Sequence, residues 1–323
     1  MIELVALSEA MREVVRLAAR VATTDANVLV TGESGAGKDA LALFIHAHSG
    51  RGEAALVKID CAALPSELLE AELFGYERGA FTGATEARPG RLETAHKGTL
   101  VLDEIAHLST DAQAKLLRVI EEREFERLGG RRKVKVDARL IALTNVDLDE
   151  AVRRRAFRED LFYRLNVVRL HVPPLRERRA DIETLARGFV QAYAAKHGRP
   201  VTKITGEALA VLREYDFPGN VRELANTVER AVIVATEPQV RAADLPEAMR
   251  AAVSLLKRGT TWRSLAELEA DYIRETLALV KGNKTEAARL LGISRKNLYE
   301  KLARYKVEVA AQPTDAAGGE ADS

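Results

Sequence analysis

A single cysteine, Cys61, stands in the whole chain, which rules out an intramolecular disulfide and a cysteine-built zinc cage. With no thiolate set available, a metal here is expected on oxygen ligands or phosphate. No apolar run approaches the roughly 20 residues that cross a bilayer. The N-terminus, Met1-Ile-Glu-Leu, lacks the basic region and apolar stretch of a secretion signal, so the expected location is the cytoplasm. Self-similarity at a solenoid period is absent too. Net charge is almost absent at +1, but this hides an uneven distribution. Residues 255 to 306 hold 12 Lys/Arg and 6 Asp/Glu, a balance of +6, whereas residues 1 to 254 hold 37 and 38, a balance of −1. The basic share is C-terminal, a face for solvent or for nucleic acid.

At 323 residues, with 47% apolar and 30% charged positions, the chain suits two or three globular domains. Short apolar or β-branched runs predict strands at Asn27 to Thr31, Leu56 to Asp60, Thr99 to Leu102, Arg139 to Thr144 and Val167 to Val172. Helical spacing covers Lys38 to His48 and Asp111 to Glu122. Strand and helix in alternation place this part in the α/β class, with a mainly parallel sheet covered on both faces. After Pro173-Pro174 the strand pattern stops, and helices are expected at Ile182 to Lys196, Glu207 to Tyr215 and Val221 to Ala235. Three more are expected at Leu265 to Val280, Lys284 to Leu291 and Arg295 to Tyr305, behind a linker from Ser254 to Ser264. Small polar residues from Gln312 to Ser323 predict a disordered end.

The run Gly32-Glu33-Ser34-Gly35-Ala36-Gly37-Lys38-Asp39 follows one expected strand and opens a helix, the context of a phosphate-binding loop. Glycines turn backbone N–H groups towards phosphate oxygens, the helix N-terminus adds partial positive charge, and Lys38 neutralises the outer phosphates. Asp39 stands where Ser or Thr ordinarily contacts Mg2+, and it is a possible metal ligand itself. A second element, Gly98-Thr-Leu-Val-Leu-Asp103-Glu104, ends a strand in two acids. One carboxylate can hold Mg2+ through water and the next can orient the attacking water, the two tasks of phosphoryl transfer. Alone, such a pair is a helix-start signal; behind a phosphate loop it points to ATP hydrolysis. Asn145 ends the next strand, either as a γ-phosphate sensor or as a turn residue. Arg158 and Arg164 lie six apart on an expected helix and Arg222 opens another; they are cations for the developing phosphoryl charge or surface ion-pair partners.

The segment Glu72-Leu-Phe-Gly-Tyr-Glu-Arg-Gly79-Ala80-Phe81-Thr82-Gly83-Ala84 carries two glycines that permit a tight turn presenting Phe81 and Thr82. With the motifs above, it resembles the AAA+ activators of bacterial sigma-54 RNA polymerase, the NtrC-like enhancer-binding proteins, over about Leu4 to Val307. The resemblance implies that Gly79 to Ala84 contact the sigma factor, that Gly32 to Asp39 are the Walker A loop, and that Asp103 and Glu104 are the Walker B pair. Asn145 looks like the first sensor, Arg222 like the second, and Arg158 and Arg164 like fingers acting on a neighbouring subunit. Many members carry Asn where Asp60 stands, and that residue restrains the catalytic Glu. An Asp there, beside Glu104, repels it unless a proton or cation intervenes.

In the segment from Asn283 to Leu302, Ala287, Ala288, Leu291, Ile293, Leu298 and Leu302 form an inner face. Arg295, Lys296, Asn297, Tyr299 and Lys301 are left largely outward, placed to reach base edges and phosphates of double-stranded DNA if the two helices form a helix-turn-helix. An ordinary helical hairpin is the other reading. The segment also resembles the Fis-type DNA-binding domain that ends this activator family, and the helix before it supports dimerisation there. The resemblance implies an AAA+ P-loop α/β subdomain at 1–173, a helical lid at 174–250, a linker at 251–264, an all-α Fis-type helix-turn-helix domain at 265–308 and a tail at 309–323. The function it implies is an ATP-hydrolysing, hexamer-forming activator that binds upstream DNA and remodels sigma-54 polymerase to open promoters. A DNA-binding repressor that keeps the AAA+ domain for oligomerisation is the alternative, and an AAA+ remodeller of another substrate is a third. The AAA+ pattern begins almost at Met1 with no sensor domain before it, so regulation is expected in trans unless a regulator has been removed.

Overall fold

The computed structural model describes residues 4–259, 264–280 and 282–305. The chain divides into two units, Met1–Val253 and Ser254–Ser323. The expected tail at 309–323 lies outside the described residues.

In the first unit, five parallel strands form one sheet in the order Leu56–Asp60, Thr99–Asp103, Arg139–Thr144, Val28–Thr31, Val168–His171. Parallel neighbours cannot be joined by tight turns, so helices cross over and cover both faces. Side chains alternate accordingly. Leu29, Leu100, Leu102, Leu140 and Ala142 pack into one core, and Val28, Val30, Val101, Ile141 and Leu143 into the other. The three central strands are buried on both faces, which is why they read as continuous apolar runs, whereas the edge strands Leu56–Asp60 and Val168–His171 expose alternate residues; truncating one such buried Leu to Ala costs about 2–5 kcal/mol.

The register sets the functional edge. Thr31 pairs with Thr144 and Asp60 with Asp103, so the ends of four strands and the segments that follow them meet along one line. The sequence did not single out two helices of this unit, Glu9–Ala22 and Ser66–Phe74. Buried Arg139 donates to the carbonyls of Val21 and Ala22 at 2.9 Å each, satisfying the C-terminal end of the first. A hairpin pairing Glu124–Glu126 with Lys133–Lys135 was also not anticipated.

The helices Ile182–His197, Gly206–Glu214 and Asn220–Val234 form a separate apolar core around Phe189, Leu212, Phe217, Leu224 and Val228. Buried Asp181 accepts N–H groups from Leu7 at 2.7 Å and Ser8 at 2.8 Å, fastening the N-terminal segment to the start of this lid. A helix over Glu247–Gly259 runs through much of the stretch expected as linker. Its Ala- and Leu-rich composition carries no Pro or turn chemistry before Gly259, so propensity favours helix.

The second unit contains helices Leu265–Leu279, Lys284–Leu290 and Arg295–Arg304. Each starts on a capping side chain, Ser264, Asn283 and Ser294. Ile273, Leu277, Ala287, Ala288, Leu298 and Leu302 form its small core.

Candidate functional site

The phosphate loop rises from Val28–Thr31 and enters the helix Lys38–Ala47. Gly35 has φ +72°, and a Cβ there would lie 2.4 Å from the carbonyl oxygen of Gly219, so the loop and the lid touch backbone to backbone. Val221 N–H donates to the Gly35 carbonyl at 3.0 Å. Asn220, buried and in the left-handed region, donates to the Ser34 carbonyl at 3.1 Å and to Glu33 at 3.0 Å, and accepts Leu175 N–H at 2.8 Å. Arg222 donates to Ser34 Oγ at 3.0 Å. Arg176 donates twice to Glu33, at 2.8 and 2.6 Å. Those Arg176 bonds first, then the Asn220 bond, hold the Glu33 carboxyl at about 2, against an ordinary 4.5.

A cavity of about 310 Å³ opens at this junction. Ser34, Gly35, Ala36, Gly37, Lys38, Asp39, Asp103, Glu104 and Arg222 line its polar part, and Leu185, Phe189, Val221 and Ala225 an apolar part supplied by the lid. Leu4 and Val5 also reach it. The volume and mixed lining suit a nucleotide, with phosphates at the loop and the base against the lid. Gly32, Glu33 and Asn145 do not line the cavity. Gly32 contributes its carbonyl to Lys38, and Glu33 is spent on the lid.

Lys38 is buried and donates to the carbonyls of Gly32 at 3.0 Å and Glu33 at 3.3 Å, with Glu104 Oε1 at 3.6 Å. Glu104 takes a left-handed backbone with φ +50°, uncommon for a residue with a side chain. Its other carboxylate oxygen accepts Asn145 N–H at 3.1 Å, so Asn145 meets the site through its backbone. Asp103 accepts Glu104 N–H at 3.1 Å and an N–H of Lys58 at 2.7 Å. Lys58 also donates to Asp39. Burial works against the Lys58 charge, but the bonds to Asp103 and Asp39 outweigh it and hold its pKa above the usual lysine range.

Asp60 pairs in register with Asp103, and its carboxylate accepts Ala62 N–H at 2.9 Å. The chain turns directly after Asp60, and an acid there caps its own turn. Beside it, burial first and then the charges of Asp60, Asp103 and Glu104 push the Cys61 thiol up to about 12.

Arg158 and Arg164 lie away from this cavity. Arg158 precedes the helix Glu159–Leu165, so the two arginines do not share a helix as expected; Arg158 pairs with Asp160 at 2.7 Å and Arg164 with Glu121 at 2.9 Å.

The Gly79–Ala84 loop leaves the strand pair Gly75–Tyr76 and Arg88–Pro89. Gly79 and Gly83 have φ of +82° and +103°, and Gly79 N–H closes the turn on the Ala84 carbonyl at 2.8 Å. Ala80 packs against Gly129, and Ala84 is buried. Phe81 is 43% exposed with its ring edge-on to Tyr76 at 5.0 Å, and Thr82 is exposed.

In the second unit, Arg295, Lys296, Asn297 and Tyr299 are exposed at the start of their helix, as expected. Lys284 lies over the Tyr299 ring at 5.2 Å. Lys301 is drawn to Glu269 at 2.6 Å and is only partly exposed, because one more turn along the helix faces the neighbouring Leu265–Leu279 helix.

Together these features define a P-loop ATPase of the AAA+ class joined to a helical unit of DNA-binding form. Comparison with known proteins agrees. The sigma-54 interaction domain matches residues 4–171, the AAA+ ATPase lid domain residues 176–260, and the Fis family of bacterial regulatory proteins residues 264–305. The chain belongs to the sigma-54-interacting AAA+ transcriptional regulators. It is 46% identical over 311 residues to the regulatory protein AtoC of Escherichia coli (strain K12), covering 94% of this chain and 68% of that protein. It is 47% identical over 301 residues to the transcriptional regulatory protein ZraR of the same organism, covering 93% and 68%. The crystal structure of NtrX from Brucella abortus in complex with ATP superposes with a TM-score of 0.70 at 38% identity, covering 95% of this chain and 70% of that one.

Proposed function

We propose that this chain is a cytoplasmic activator that hydrolyses ATP, binds DNA upstream of promoters and remodels sigma-54 RNA polymerase into open complexes. The observation that carries this reading is the cavity where Lys38, Asp103, Glu104 and Arg222 converge between the phosphate loop and the lid. Lys38 and the loop N–H groups would neutralise and orient the phosphates of ATP. Glu104, steered by Asn145 N–H, would take a proton from the attacking water. Arg222 and Arg176 would report occupancy of the loop to the lid.

Asp39 and Asp103 fit magnesium. Both offer hard oxygen ligands, and among the described residues no cluster of three or more acids, His or Cys closes an all-protein cage. That suits an ion held by one or two carboxylates plus phosphates and water. When bound, magnesium offsets charge on the outer phosphates.

Arg158 and Arg164 lie outside their own chain's cavity, which supports their use on a neighbour's ATP in a hexamer. Gly79, Ala80, Phe81, Thr82, Gly83 and Ala84 would then engage the sigma factor, with Phe81 and Thr82 at the exposed tip. Arg295, Lys296, Asn297 and Tyr299 would read double-stranded DNA, with Lys301 contributing less, and pairing of C-terminal units would favour an inverted-repeat site. The match of the sigma-54 interaction domain over residues 4–171 supports the activator reading and not the repressor alternative.

The test is open-complex formation by purified protein with sigma-54 polymerase, promoter DNA and ATP. Promoter melting that needs ATP supports the reading. Normal ATPase activity and DNA binding without melting refutes it.

A further inference from the structure

Lys58 is a cation beside the nucleotide site that none of the motifs accounts for. Its ammonium bridges Asp39 of the phosphate loop and Asp103 at the end of the adjacent strand. Asp103 in turn accepts Glu104 N–H, and the Glu104 carboxylate lies between Lys38 and Asn145 N–H. Lys58 therefore heads a hydrogen-bonded chain that ends on the proposed general base. It also changes the charge count. With Lys58 present, two ammonium groups face the three carboxylates of Asp39, Asp103 and Glu104; without it, Lys38 faces them alone.

We propose that Lys58 is a positioning residue that ties Asp39 to Asp103 and competes with divalent metal for both, so that metal enters productively only together with nucleotide phosphates. A divalent cation drawn to these two acids must outbid an ammonium already hydrogen-bonded to each. Phosphates add negative charge beside the acids and tip that competition towards the metal. Asp39, an acid where a neutral hydroxyl is usual, would attract metal without nucleotide if Lys58 did not occupy it. This rests on reading the cavity as an ATP site.

The experiment uses the full chain with a fluorescent N-methylanthraniloyl ATP analogue, titrated with magnesium at fixed nucleotide, for wild type, Lys58→Met, Lys58→Gln and Lys58→Arg. Manganese binding without nucleotide is followed by electron paramagnetic resonance. Lys58 is half exposed, so the substitutions leave the core untouched. Both neutral variants should reach half-saturation at about tenfold lower magnesium, as expected when two partly exposed ion pairs are lost together, and should bind manganese without nucleotide. Lys58→Arg should behave as wild type. Unchanged metal dependence in either neutral variant overturns the proposal while nucleotide binding stands. Failure of wild type to bind the analogue at any magnesium concentration overturns the ATP-site reading and the proposal with it.

Discussion

Arg176 grips Glu33 with two hydrogen bonds of 2.8 and 2.6 Å, joining the entrance of the lid to the second residue of the phosphate loop. The Glu33 carboxyl is thereby held at about 2 instead of 4.5. A depressed acid stabilises the fold fully above its unfolded value and loses that contribution as pH falls towards its folded value. Glu33→Gln should therefore lower the melting midpoint by about 2 °C at pH 7, discounted for exposure. The gap to wild type should narrow between pH 4.5 and 2. A gap that stays constant to pH 2.5 would show that the pair contributes nothing.

Lys38→Ala and Glu104→Gln separate binding from chemistry. The first should abolish ATP binding, because it removes the buried ammonium that the Gly32 and Glu33 carbonyls hold at the loop. The second keeps the shape of Glu104 and its bond to Asn145 N–H but removes the base. Turnover should fall by about 10² to 10⁴ while ATP affinity is retained. Normal turnover in Glu104→Gln would take this residue out of the reaction.

Gly35 and Gly79 share a left-handed backbone but differ in surroundings. A Cβ at Gly35 meets the Gly219 carbonyl, whereas one at Gly79 meets nothing within 4 Å. Gly79→Ala should cost about 1 kcal/mol of backbone strain. Gly35→Ala should cost about 2–3 kcal/mol and weaken ATP binding, since it also separates loop from lid. Denaturant unfolding and nucleotide titration of both variants measure the difference; equal costs would argue that the lid does not rest on the loop.

Thr82→Ala and Phe81→Ala alter only the exposed tip of the Gly79–Ala84 turn. Both should keep ATPase activity within about twofold, as surface changes usually leave the fold intact, and both should lose promoter opening. Coupled loss of hydrolysis and opening would place these residues in the ATPase machinery instead.

Arg295 has no ion pair among the described residues, whereas Lys301 is held by Glu269. Arg295→Ala should weaken DNA binding by about tenfold or more if it reaches a base and leave hydrolysis unchanged. Lys301→Ala should act mainly on the thermal stability of the C-terminal unit. A gel-shift series on both variants, beside their melting curves, distinguishes the roles.

The α/β sheet was legible because its three central strands are buried on both faces and stand out as apolar runs, and the phosphate loop because Gly and Lys there follow a fixed spacing. What escaped depends on register and distance. Lys58 meets Asp103 only because Asp60 and Asp103 align across neighbouring strands. Glu33 and Arg176 are 143 positions apart, so no local pattern pairs them. The bond from Ala62 N–H to the Asp60 carboxylate depends on the turn that follows the strand, which the motifs do not report. Lys301 illustrates the limit of face counting: it lies near the outward stripe, yet a long side chain reaches back to an acid on the next helix.

Cys61 carries a buried thiol raised to about 12, on the one cysteine of the chain. Burial and the raised pKa should leave it unreactive towards maleimides at neutral pH, so a cysteine introduced at the exposed Thr82 should take a spin label or fluorophore alone. The loop tip then becomes a spectroscopic coordinate, on which a movement coupled to turnover would be read directly and in real time.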